Sequence, residues 1–127
     1  MGRGKIKTAT VVSSNEVYFD FPYQGAQRAT LTLRKHPKHG KDVILSIEKG
    51  QFNVGVDGCN VAVRFDSGKP RNYSAVGPAD YGTTTLFLHG YDRFVAAAKK
   101  AKTVSIEAVF YQEGDRVFTF EIAGLKW

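Results

Sequence analysis

His36 and His39, separated by Pro37 and Lys38, are the chain's nearest approach to a metal-binding pattern. A zinc site needs three or four ligands, and neither Cys59 nor His89 lies near that turn in sequence. The spacing therefore predicts exposed loop histidines and no metal site. Cys59 follows Asp57-Gly58 with no nearby histidine or helix N-terminus to favour its thiolate, so it reads as a small buried or edge thiol. Asp66, Asp80, Glu107 and Glu121 are the carboxylates from which an acid–base pair would be drawn. Asp66 and Asp80 sit in turn sequences, however, and Glu107 and Glu121 occupy outward positions of alternating stretches. No residue is assigned to catalysis, a metal or a cofactor, and the expectation is a protein that is not an enzyme.

The remaining chemistry is cationic. Arg34-Lys35-His36-Pro37-Lys38-His39-Gly40-Lys41 is one basic cluster, and Lys99-Lys100 with Lys102 is another at the end of an expected helix, where the dipole favours cations. Arg64 alternates against Val63 and Phe65 and projects away from the core, either to pair with an acid on a neighbouring strand or to meet an anion or partner. Arg34, Lys35, Lys38, Lys41 and Arg64 form the candidate interaction surface. Tyr18, Tyr73, Tyr81, Tyr91 and Tyr111 suggest a base-stacking platform, but they do not fall within one hairpin. Arg3, Lys5 and Lys7 account for half of the formal net charge of +6, so the remainder attracts anions only mildly.

The elements that must position these groups are mostly strands. Apolar residues recur at every second position in Ala29–Arg34, Asp42–Glu48, Asn60–Phe65, Thr103–Gln112 and Arg116–Ile122; Arg71–Val76 continues the meander, and Thr84–Leu88 is a further β-branched and apolar strand. Thr8–Ser13 and Glu16–Phe21 precede them, joined at Ser14-Asn15, and residues 22–26 read as a loop. Asp57-Gly58 is the strongest hairpin signal and predicts that Gln51–Val56 turns back along Asn60–Phe65. Only Tyr91–Ala101 has helical spacing, with Phe94, Val95, Ala98 and Ala101 on one stripe and Asp92 as N-cap or first-turn anion. Trp127 is expected to cap the core edge.

At 127 residues the chain fits one domain, residues 8–127, behind a flexible basic segment at 1–7. The fold expected is all-β: an antiparallel β-sandwich of nine to ten short strands with one α-helix near 91–101. No run of about 18 apolar residues offers a transmembrane segment, and the basic start is too short and polar for a signal peptide. One cysteine excludes an internal disulfide.

Residues 29–34, 43–48, the Val63-Arg64-Phe65-Asp66-Ser67-Gly68 strand and turn, the alanine-rich helix and the Phe120-Glu121-Ile122-Ala123-Gly124-Leu125 close resemble a group of bacterial exported β-sandwich domains. That group includes small lipoproteins of unknown function, invasion-associated locus B proteins and an accessory protein of type VI secretion. The resemblance covers residues 29–127 and implies a periplasmic or outer-envelope location and a non-catalytic accessory or binding role toward a protein or envelope component. Relatives often carry a cysteine pair around the hairpin that holds Cys59; this chain has Val54 and no second cysteine. The alternatives are a small basic nucleic-acid-binding β-barrel and a metal-dependent enzyme.

Overall fold

Burial alternates residue by residue along the long strands of the computed structural model, which describes residues 5–19, 25–38, 40–80, 82–125 and 127. The elements are β1 (Lys7–Val12), β2 (Val17–Phe19), β3 (Gly25–Gln27), β4 (Ala29–His36), β5 (Gly40–Ile47), β6 (Cys59–Phe65), β7 (Arg71–Val76), β8 (Thr85–Leu88), α1 (Tyr91–Ala98), β9 (Thr103–Phe110) and β10 (Gly114–Glu121). Eight strands make one antiparallel sheet in the order β1-β4-β5-β8-β7-β6-β9-β10, while β2 and β3 pair separately. The all-β architecture with a single helix is as expected. The main ladder, however, is one continuous sheet and does not divide into two.

Curl brings the two edges of that sheet together without a β1–β10 ladder. The Ser14 amide donates to the Thr119 carbonyl at 2.8 Å. The Asn15 side chain donates to the Val117 carbonyl at 2.9 Å and accepts from the Thr119 amide at 2.8 Å. Three bonds thus satisfy edge groups that would otherwise face solvent or another chain. β1 runs beside β4 and not beside β2, so Ser14-Asn15 is a seam and not a hairpin turn.

The order β5-β8-β7-β6-β9 requires two passes over strand ends. Residues 48–58 cross one end from β5 to β6, and α1 crosses the other from β8 to β9. Each pass inserts aromatics between the inward faces. At the loop end Phe52 stacks on Phe110 at 4.7 Å between centroids, with Phe19 tilted against the same ring at 5.0 Å. At the helix end Phe94 meets Phe65 at 5.3 Å and Tyr73 at 5.8 Å, both edge-on. Two turns of helix are unstable alone. Burying Phe94, Val95 and Ala98 therefore holds α1, at about 1.5–3 kcal/mol for a side chain the size of Phe or Val.

The hairpin expected between 51–56 and 60–65 does not form. β7 pairs with Cys59–Val63 and β9 with Ala62–Phe65, while residues 51–53 bond to the end of β9 and to Thr83 and do not run along β6. Residues 51–56 form no strand: they make the isolated bridges Phe52–Phe110 and Gly55–Gly58, the Phe52 amide donates to the Thr83 carbonyl at 2.9 Å, and the Phe52 side chain is buried. The turn residues are consequently Val56-Asp57, one position earlier than the sequence signal, and Gly58 takes φ 97°. A Cβ there would stand 2.5 Å from the Ala75 carbonyl oxygen. Part of the segment read as a loop at 22–26 belongs to β3, and the helix closes at Ala98, earlier than Ala101. Its N-cap is Gly90, with Asp92 in the first turn.

Tyr73 is fully buried, and its hydroxyl has no hydrogen-bond partner among the described residues. A buried, unpaired hydroxyl costs about 1–3 kcal/mol. Tyr73→Phe keeps the ring contacts and removes that cost. Urea unfolding of the variant is expected to show unchanged stability or a gain of about 1 kcal/mol; a loss of that size would mean the hydroxyl has a partner.

Candidate functional site

The inward column of β1, β4 and β5 carries Ala9, Leu33 and Val43 in direct register. One pleat closer to the helix end, the same column carries Lys7, Lys35 and Lys41, paired Lys7–Lys35 and Lys35–Lys41. Three ammonium groups therefore share one cross-strand rung, an arrangement that opposes folding. At the rim their stems continue the apolar surface while the charges reach solvent.

Aromatic rings lie beneath this rung. The Lys7 and Lys35 ammonium groups stand 4.8 and 5.6 Å from the Trp127 ring centroid, and that of Lys41 stands 5.6 Å from the Tyr91 ring. The Trp127 indole N–H donates to the Tyr91 hydroxyl, joining the two rings. Cation–π attraction at exposed sites offsets repulsion by about 0.5–1 kcal/mol per contact. Carboxylates offset it less: Lys41 reaches Asp92 only at 3.9 Å, and the Asp92 side chain is 89% exposed. Among the described residues, no carboxylate lies within ion-pair reach of Lys7 or Lys35.

Lys35 and Lys41 thus join one site, and their neighbours do not. Arg34 points to the outer face, where its guanidinium donates to Asp42 at 2.5 and 3.0 Å and is neutralised. Lys38 lies exposed in the β4–β5 turn, where its amide donates to His36 Nδ1 at 3.0 Å. Arg64 stands apart on the outer face of β6; it donates to the Ser67 carbonyl at 3.4 Å and, among the described residues, forms no ion pair. Lys7 and Trp127 were not legible as site residues, although Lys7-Ala9-Val11 shares the period of two, and Tyr91 was read only as one of five dispersed tyrosines.

The other chemistries resolve into local roles. His39 and Tyr81 lie outside the described residues. Among the described residues, no group of three or more His, Cys, Asp and Glu comes together to hold a metal ion. Burial pushes the Cys59 thiol up from its ordinary pKa, away from a thiolate. His89 shares a 3.0 Å hydrogen bond with the Ser74 hydroxyl. Asp80 accepts the Gly82 amide at 2.9 Å, a turn bond, and Glu107 and Glu121 are exposed on strand faces. The tyrosines do not form a platform: Tyr73 is buried, Tyr111 lies at the loop end and Tyr91 at the helix end.

Charge is also polarised along the strands. Glu16, Glu48, Asp57, Asp80, Glu113 and Asp115 sit at the loop end with Arg28, Lys49 and Arg116, opposite the lysine rung and the cations of α1. Arg28 pairs with Glu16 and Arg116 with Glu113, so this end is acidic on balance. No described helix is long and apolar enough to cross a membrane. Comparison with family models, with curated protein sequences and with solved structures gave no match.

Asp66 ties the helix end together. Its Oδ1 accepts the Lys102 amide at 2.9 Å and the Thr103 amide at 3.0 Å, and these bonds hold its pKa below the ordinary 3.8. A depressed carboxylate pKa adds stability above the unfolded value, and that stability is lost as pH falls through the folded value. Urea midpoints measured from pH 3.8 downward should therefore fall more steeply for the native chain than for Asp66→Asn. Parallel curves would show that the two amide bonds contribute nothing to acid stability.

Proposed function

We propose that this chain is a non-catalytic accessory module of the bacterial envelope that docks its helix end on an anionic surface. The observation that carries the reading is the Lys7–Lys35–Lys41 rung, three cations set side by side with almost no carboxylate compensation. An arrangement that opposes folding is retained where it serves binding. The envelope location rests on the resemblance of residues 29–127 to exported β-sandwich domains. The acidic loop end supports a defined orientation, because it turns away from any surface that attracts the rung.

A second reading, single-stranded nucleic acid, draws on the Trp127 ring beside the rung. It is disfavoured by the dispersal of the tyrosines and by the indole N–H being held by Tyr91.

Co-sedimentation with phosphatidylglycerol–phosphatidylcholine vesicles tests the proposal at low and high salt. Binding is expected to the anionic vesicles only and to weaken as salt rises. Changing Lys7, Lys35 and Lys41 together to Gln should weaken it by about a hundredfold, at about 1 kcal/mol per lysine. Equal binding to pure phosphatidylcholine, or none at low salt, contradicts the proposal. Tighter, salt-sensitive binding of an oligo-dT strand supports the second reading instead.

A further inference from the structure

A groove of about 450 Å³ runs between α1 and the β6–β7 turn, on the far side of the helix from the lysine rung. It is an open, shallow groove and not an enclosed cavity. Its helical wall is a second stripe of α1 and its C-terminal extension: Arg93, Ala96, Ala97 and Lys100 recur at helical spacing, while Phe94, Val95 and Ala98 face the core. Short alanines leave room where longer side chains would fill the space. The partly buried Phe65 ring adds apolar surface.

The charges in this groove are unequally committed. Arg93 is held in place: its guanidinium carbon lies 3.8 Å from the Tyr73 ring centroid, and its Nη2 donates to the Asn72 carbonyl at 3.0 Å. Fixing a guanidinium in this way removes ordering cost from any later contact with an anion. Arg71 and Lys100 line the same groove with no ion pair or side-chain hydrogen bond among the described residues. Among the described residues Asp66 is the one carboxylate lining it, and its Oδ1 is occupied by the two amides described above. Three cations and one acid leave a positive groove over an apolar floor.

We infer that this groove binds an amphiphilic acid, a small ligand with one carboxylate or phosphate head on an apolar body. The head meets Arg71, Lys100 and the open edge of Arg93; the body lies along Ala96, Ala97 and Phe65. The inference is independent of the docking reading, because none of the rung lysines lines the groove.

Amide chemical shifts of the full chain, titrated with decanoate, decyl phosphate, decanol and inorganic phosphate below micellar concentrations, test it. Decanoate or decyl phosphate should shift Ala96, Ala97 and the 66–71 turn saturably, and their relative affinities tell which head group is preferred. Decanol and inorganic phosphate should each bind at least about tenfold more weakly, since each lacks one half of the recognised chemistry. Arg71→Gln with Lys100→Gln should cost about tenfold or more for the acids, at unchanged urea midpoint. The Lys7, Lys35 and Lys41 variant should titrate as the native chain does. Equal affinity for decanol, an undiminished response in the Arg71 and Lys100 variant, or shifts confined to 51–58 overturns the inference.

Discussion

The register of β1, β4 and β5 is the constraint on which the rest of this structure depends. Side chains repeat every second residue, so fixing Ala9, Leu33 and Val43 inward also fixes Lys7, Lys35 and Lys41 on the same face. A slip of one residue would turn Leu31, Leu33, Val43 and Leu45 to solvent, and all four are essentially inaccessible. Hydrophobic burial along the column therefore holds three like charges together at its end. Core and candidate site follow from one pleat.

The ends of the curled sheet show a division of labour. The loop end is closed by Phe52 stacked on Phe110 and Phe19 tilted against the same ring, and it carries an acidic rim. The helix end is closed by Phe94 and carries the cations. α1 serves twice there: its inward stripe seals the core, while Tyr91 meets Trp127 on one side and Arg93 meets Tyr73 on the other. Asp66 joins the β6–β7 turn to the start of β9, so the helix exit and the groove wall are held by one carboxylate.

Faces were legible in the sequence and partners were not. The alternation of Val43, Leu45 and Ile47, or of Val104, Ile106, Ala108 and Phe110, is local, and each of these residues is buried as its period requires. Phe94, Val95, Ala98 and Ala101 are likewise buried on the helical stripe. Pairing is a competition between distant segments, and the Asp57-Gly58 signal lost it because residues 51–53 bond to the end of β9 and to Thr83 in place of β6. The same limit hid the site. Lys35 and Lys41 were visible as a basic cluster, but Lys7 read as part of a flexible tail. Its place beside Lys35 depends on β1 crossing to β4, and Trp127 enters only through the three-dimensional closure of the helix end.

The most direct measurement is a double-mutant cycle between Lys35 and Lys41, with each changed to Gln and stability read by urea unfolding at low salt and again in sulfate. Neighbouring ammonium groups in one rung predict a repulsive coupling of about 0.2–1 kcal/mol at low salt, and anions should collapse it. Zero or attractive coupling at low salt would contradict the account, because the two charges would then not share the rung that defines both the register and the site.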